Sequence, residues 1–138
     1  MTAASTEGKV LYVDSSALVK LVISEAESEA LAEHVSDDAV LATSRIAIVE
    51  VPRAASVANP SAEARTEAQR VVESCLLVDV TDRLLRRAAR HTSATVRTLD
   101  AIHLASAEHV EPDEMIVYDR RLREAAVHIG LPVAHPGT

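Results

Sequence analysis

The chain has 138 residues, 48% of them hydrophobic, and 21 acids against 14 bases give a formal charge of −7; that length fits one domain with one core, since domains most often run about 100 to 150 residues. With no Phe, no Trp and only two Tyr, the chain lacks the aromatic platforms of base-stacking modules, and Gly8, Gly130 and Gly137, its only glycines, form no phosphate-cradling loop. The acidic balance argues against binding DNA or an anionic membrane through net charge, and a lone Cys75 allows no intrachain disulfide, so a reducing cytoplasm is the expected setting.

Met1 to Lys9 is small and polar with no apolar leader core, and no stretch approaches the roughly 18 apolar residues of a membrane span. Lys9 to Val13 (KVLYV) reads as a strand that stops at Asp14-Ser15-Ser16, residues that favour helix starts. Ala17 to Val22 continues that helix, and Glu25 to Val35 predicts a second, with Glu25, Glu29 and Glu33 on a solvated side. Ala39 to Ala42 reads as a short buried strand. Ser44 then caps a helix carrying Ile46, Val49, Glu50 and Ala54, which Pro52 is expected to kink or divide. Pro60 starts another helix running to about Cys75.

Leu76 to Val80 is the next predicted strand, and Asp82 caps a helix with Leu84, Leu85, Ala88 and Ala89. Thr98 opens a helix with Ile102, Ala105 and Ala107. Met115 to Tyr118 is a further strand, followed at Asp119 by an Arg-rich helix that closes near Gly130, and Pro132 to Ala134 is a candidate edge strand. Short apolar strands alternating with amphipathic helices describe an α/β three-layer sandwich, a central parallel sheet flanked by helices, as a single domain over residues 1–138.

In such folds ligands sit beyond the carboxyl ends of the strands, which directs attention to Asp14 and Asp119. Two more acids, Glu50 and Asp100, lie within largely apolar helices. Around Glu50 the same-face positions are Ile46, Ala47, Arg53 and Ala54, so its carboxylate needs a partner, with Arg53 or Arg45 as candidates. Singly, each acid has an ordinary reading: Asp14 and Asp119 as helix caps, Asp100 as a first-turn acid favoured by the dipole. If all four converge, each pair about 4 Å apart repels by about 4 kcal/mol at an effective dielectric near 20. Such a cluster requires protons, arginines or a hard cation, and all-oxygen ligation suits Mg²⁺ or Mn²⁺ rather than zinc. Ions of that kind activate water for in-line attack on phosphate.

The stretches Val13-Asp14-Ser15-Ser16-Ala17-Leu18-Val19-Lys20, Glu50-Val51-Pro52-Arg53-Ala54, Leu99-Asp100-Ala101-Ile102-His103-Leu104-Ala105-Ser106-Ala107 and Val117-Tyr118-Asp119-Arg120-Arg121-Leu122 resemble the PIN domain, most closely its VapC-like toxin branch. The resemblance runs in order over nearly the whole chain. It implies a Mg²⁺- or Mn²⁺-dependent endoribonuclease with an RNA substrate, a homodimer, and neutralisation by a VapB-like antitoxin. On this resemblance Asp14, Glu50, Asp100 and Asp119 fall on the family's acidic active-site positions, as metal ligands and catalytic residues. One departure is Val117, where the family commonly carries Thr or Ser; it keeps open a degenerate domain that only binds a partner. A further rival, aspartyl-phosphate chemistry as in a receiver or phosphatase, lacks its late lysine and its DxD here. His103 is expected to be a packed, hydrogen-bonded core residue. Arg83, Arg86, Arg87 and Arg90, with Arg97, Arg120, Arg121 and Arg123 beyond, form either a solvated surface or a path for an RNA backbone. Charge is segregated along the chain, with nine acids and three bases in residues 1–50 against twelve and eleven in the remainder.

Overall fold

The computed structural model describes residues 8–35 and 38–138; most of the polar N-terminal segment therefore lies outside the described residues. Five strands, β1 (Val10–Val13), β2 (Val40–Ser44), β3 (Leu76–Val78), β4 (Glu114–Ile116) and β5 (Val133–Ala134), form one sheet in the order β3-β2-β1-β4-β5. Every pairing is parallel, with Leu11 opposite both Leu41 and Glu114. The helices are α1 (Ser15–Val19), α2 (Ser28–His34), α3 (Ala47–Ala58), α4 (Ala62–Glu73), α5 (Asp82–Ala88), α6 (Thr98–Val110) and α7 (Arg120–His128). The expected three-layer α/β sandwich is therefore present.

Strand β1 shows how the layers are held. Its residues alternate between faces: Leu11 and Val13 join Leu18, Leu31, Val51, Ala55 and Ile116 in one core, while Tyr12 joins Leu104, Met115, Val117 and Leu122 in the other. Both faces are dry, which is why the strand reads as an unbroken apolar run. In the absence of Phe and Trp, alanines such as Ala47, Ala55, Ala68, Ala105 and Ala107, all with no exposed surface, let helices approach closely. The chain winds outward from β1 through β2 to β3 and then returns to the other side of β1 as β4. That reversal opens a crevice beyond the carboxyl ends of β1 and β4, the usual ligand position in sheets of this kind.

Several boundaries differ from the sequence expectation, for local reasons. Strand β2 extends to Ser44 and its first residue, Val40, is 43% exposed, so Ser44 ends a strand instead of capping a helix, although its hydroxyl accepts from Ile46 N. Helix α2 starts at Ser28 and not Glu25, because the Ser28 hydroxyl accepts from Glu25 N and donates to the Ile23 carbonyl, holding the preceding turn. Ser61, one residue after Pro60, caps α4 through Ala64 N, and Thr81, one residue before Asp82, caps α5 through Leu84 N. Strands β3 and β4 end at Val78 and Ile116, short of Val80 and Tyr118.

Pro52 does not divide α3. An interior proline costs about 3 kcal/mol, but Val51 and Ala55, on either side of it, have no exposed surface and pack with α1 and α4 residues in the first core. Burial of a whole helix face outweighs one missing backbone bond.

Candidate active site

All four predicted acids, Asp14, Glu50, Asp100 and Asp119, line one cleft of about 560 Å³, together with Ser15, Ser16, His103, Arg97 and Arg121. Asp14 is the first residue beyond β1 and the N-cap of α1, its Oδ1 accepting from Ala17 N at 3.0 Å. Asp119 stands in the same relation to α7, its Oδ1 accepting from Leu122 N at 2.9 Å. The capping and cleft-lining readings of these two residues are thus both true. A cap occupies Oδ1 in each case and fixes the carboxylate at the strand end. Ser16 adds hydrogen bonds of 3.2 and 3.1 Å to the two oxygens of Asp14.

Asp100 is the third residue of α6, and Glu50 the fourth of α3. Glu50 pairs with neither Arg53 nor Arg45; Arg45 bonds Asp79 instead. Its Oε1 accepts from the Ser15 hydroxyl at 2.7 Å and from His103 Nε2 at 2.9 Å. His103, 2% exposed, bonds on its other side through Nδ1 to the Tyr12 hydroxyl at 2.7 Å, and the two rings meet edge-on. Ionised Glu50 only accepts, so the bonding partners assign the imidazole proton to Nε2 and make Nδ1 the acceptor of the Tyr12 phenol. Burial pushes the Tyr12 pKa up, keeping that phenol protonated.

His103 is packed and hydrogen-bonded as expected, yet it also orients a cleft carboxylate. Sequence reasoning did not place Tyr12, Ser15 or His103 in one network with Glu50. The Asp100/His103 spacing, one turn apart on α6, was the available signal for His103; Tyr12 and Glu50 lie 91 and 53 residues from it.

The electrostatics separate the four acids. Burial pushes the Asp14 carboxyl above the ordinary carboxylate range, His103 and hydrogen bonds oppose the shift, and the charge of Asp100 adds to it. Asp100 is also raised, first by burial and then by the charge of Asp119. Burial pushes Glu50 upward as well, but the hydrogen bonds from His103 and Ser15 outweigh it and hold this carboxyl below its ordinary value. Asp14 and Asp100 are therefore acids held near like charge, and His103 opposes their upward shift without cancelling it.

Among the described residues, no three Asp, Glu, His or Cys side chains are placed closely enough to enclose one metal ion. The donor chemistry nonetheless fits a hard cation. Four carboxylates face one cleft, two of them are raised by burial and by neighbouring negative charge, and both nitrogens of the one cleft imidazole are engaged elsewhere. Oxygen donors of this kind suit Mg²⁺ or Mn²⁺ and not zinc. Val117 does not border the cleft; it is fully buried in the second core.

Comparison with known proteins gives the family and supports the fold. The PIN domain family profile matches residues 11–127. Ribonuclease VapC46 of Mycobacterium tuberculosis is 37% identical over 128 residues, covering 91% of this chain and 97% of its own length. Ribonuclease VapC35 of the same species is 34% identical over 132 residues, covering 93% and 98%. In fold, the chain is similar to a structure of VapBC2 from Rickettsia felis bound to a DNA fragment from their promoter, with a TM-score of 0.64 at 9% identity over 92% of this chain and 98% of that one. The parallel sheet, the acids at its carboxyl ends and the match over residues 11–127 together place the chain in the PIN domain family.

Proposed function

We propose that this protein is a divalent-metal-dependent endoribonuclease, the toxin of a toxin–antitoxin pair, with Asp14, Glu50, Asp100 and Asp119 holding Mg²⁺ or Mn²⁺. The observation that carries this reading is the convergence of the four acids on one cleft, with Asp14 and Asp100 raised by burial and by neighbouring negative charge. The ribonuclease names of relatives that match along almost their whole length support the reaction class. When bound, a divalent ion supplies charge stabilisation at the phosphate and lowers the pKa of the attacking water.

The chain's own residues supply the positioning. Asp14 and Asp119 are fixed by their capping bonds. Glu50 is held through Oε1 by Ser15 and His103, and Tyr12 fixes the imidazole that holds it. Such outer partners orient metal-binding carboxylates and set their affinity. Arg97 and Arg121 at the cleft rim offer cations to the RNA phosphates. A VapB-like antitoxin placing a basic side chain among the same carboxylates would neutralise them, and a homodimer is the expected assembly; the cytoplasm remains the expected compartment. Among the described residues no helix is long and apolar enough to cross a membrane.

Cleavage of single-stranded RNA, with and without EDTA, tests the proposal. We expect cleavage by wild type that EDTA abolishes and Mn²⁺ restores, and none by Asp14→Asn or Asp100→Asn. Cleavage that survives EDTA, or variants as active as wild type, would overturn it.

A further inference from the structure

The acidic cleft is not isolated on the surface. Thr95 and Arg121 line both it and a second hollow of about 580 Å³, formed by the loop over residues 89–97 and α7. Arg90 in turn lines both the second hollow and a third of about 860 Å³ beside α5, where Arg83 and Arg87 stand over an apolar floor. The three hollows are therefore neighbours that share walls, and arginine stands in each wall: Arg97 and Arg121, then Arg90, then Arg87 and Arg83.

These five arginines are all exposed, and none makes an ion pair among the described residues. Beyond the acidic cleft itself, the acids lining the other two hollows are already engaged, Asp79 by Arg45 and Glu124 by Arg120. The second hollow adds hydroxyls from Thr92, Ser93 and Thr95. In a protein of formal charge −7, a succession of arginines without ion pairs, with hydroxyl donors between them, matches a polyanion. The walls offer no Phe, Trp or Tyr for stacking, and their histidines, His91, His109 and His128, are outnumbered by arginines and hydroxyls, so contact with phosphates is the dominant mode they offer.

We propose that Arg97, Arg121, Arg90, Arg87 and Arg83 form a track that carries the backbone of single-stranded RNA from the acidic cleft, around the loop over residues 89–97, to the outer face of α5. The inference deepens the ribonuclease reading and rests on it. It separates arginines that the sequence groups together: Arg86, although on the same helix as Arg83 and Arg87, lines none of the three hollows, and neither do Arg120 and Arg123.

Each phosphate neutralised on a single strand contributes about −0.7 to the slope of log affinity against log salt, so five contacts give about −3 to −4. The test is fluorescence anisotropy of a labelled oligouridylate titrated with protein across a salt series in EDTA, where cleavage plays no part. Arg87→Gln, Arg90→Gln and Arg121→Gln are compared with Arg86→Gln and Arg65→Gln, which make the same charge change off the track. We expect each track variant to flatten the slope by about 0.7 and, in Mn²⁺, Arg87→Gln to raise KM for RNA without lowering kcat. The two controls should match wild type.

Equal effects of Arg86→Gln and Arg87→Gln would reduce the track to diffuse charge and overturn the proposal, as would unchanged slopes or no RNA binding. Unchanged slopes together with polyglutamate binding that the track variants abolish would assign the groove to an acidic peptide instead. The expected slopes without any cleavage in Mn²⁺ would leave the track standing and remove the ribonuclease reading.

Discussion

Two charged regions flank α1 and are built on opposite rules. At its carboxyl-terminal end Lys20 sits 2.7 Å from Glu27 and 3.7 Å from Glu25, its ammonium lies over the Tyr118 ring, and the Glu27 carboxyl is held below its ordinary value by the Lys20 hydrogen bond. At its amino-terminal end Asp14 is buried near Asp100, which in turn feels Asp119, and both Asp14 and Asp100 are pushed upward. The first arrangement relieves charge and the second concentrates it. A fold gains nothing in stability from concentrating buried carboxylates, so the contrast marks where selection for chemistry has overridden selection for stability.

The largest expected effect breaks this contrast at its functional end. Asp14→Asn or Asp100→Asn should lower RNA cleavage by at least about 100-fold, because loss of a ligand costs more than the 10- to 100-fold typical of its outer partners. The same Asp14→Asn protein should melt at a higher temperature than wild type in EDTA. Asn keeps the cap to Ala17 N while removing the buried charge, and a calorimetric scan of both proteins measures the difference. Next in size is His103→Ala, which leaves the Tyr12 hydroxyl without its Nδ1 partner and frees Glu50. It should cost about 2 kcal/mol in a denaturant titration and weaken Mn²⁺ affinity by about 10-fold or more.

The pH dependence sharpens the same comparison. Asp14 has its folded pKa above the unfolded value of 3.8, so the folded state binds more protons than the unfolded state as pH rises from that value through the raised one. Stability attributable to this group therefore falls with rising pH across that window and is level above it. Glu27, lowered in the folded state, contributes in the opposite direction: its stabilisation is present above its unfolded pKa and is lost as pH falls through the folded one. The difference in unfolding free energy, wild type minus Asp14→Asn, should thus become more negative as pH increases above 3.8. A constant difference would contradict the assignment of a buried, raised carboxyl. The smallest effect is expected at the relieved end. Lys20→Met should lower the melting temperature slightly, less so in high salt, with no change in kcat.

The parallel sheet with helices on both faces follows from patterns that one chain displays: short apolar runs such as Lys9 to Val13 alternating with amphipathic helices, and acids set immediately after strands. The strand order and the partition of the core between the two faces of β1 appear only in the folded chain. Helix starts were less legible where two capping residues adjoin. Thr81 and Asp82 are equally plausible on local grounds, and the hydroxyl of Thr81 makes the bond to Leu84 N. The four acids were legible because each breaks an apolar context or ends a strand. The network behind Glu50 was not, since Tyr12, Ser15, Glu50 and His103 meet only when β1, α3 and α6 pack. The same holds for the arginines: helical periodicity groups Arg83, Arg86, Arg87 and Arg90, and only the packing of α5 beside β3 and the end of α6 turns Arg83 and Arg87, and not Arg86, into a hollow that Arg90 also lines.

Calorimetric titration of the apo protein with Mn²⁺ tests the central claim most directly, since it asks whether the concentrated carboxylates are a cation site. The account predicts saturable binding by wild type, strong weakening in Asp14→Asn and Asp100→Asn, and no change in Lys20→Met. An absence of Mn²⁺ binding by wild type, or equal binding by all four proteins, would contradict it.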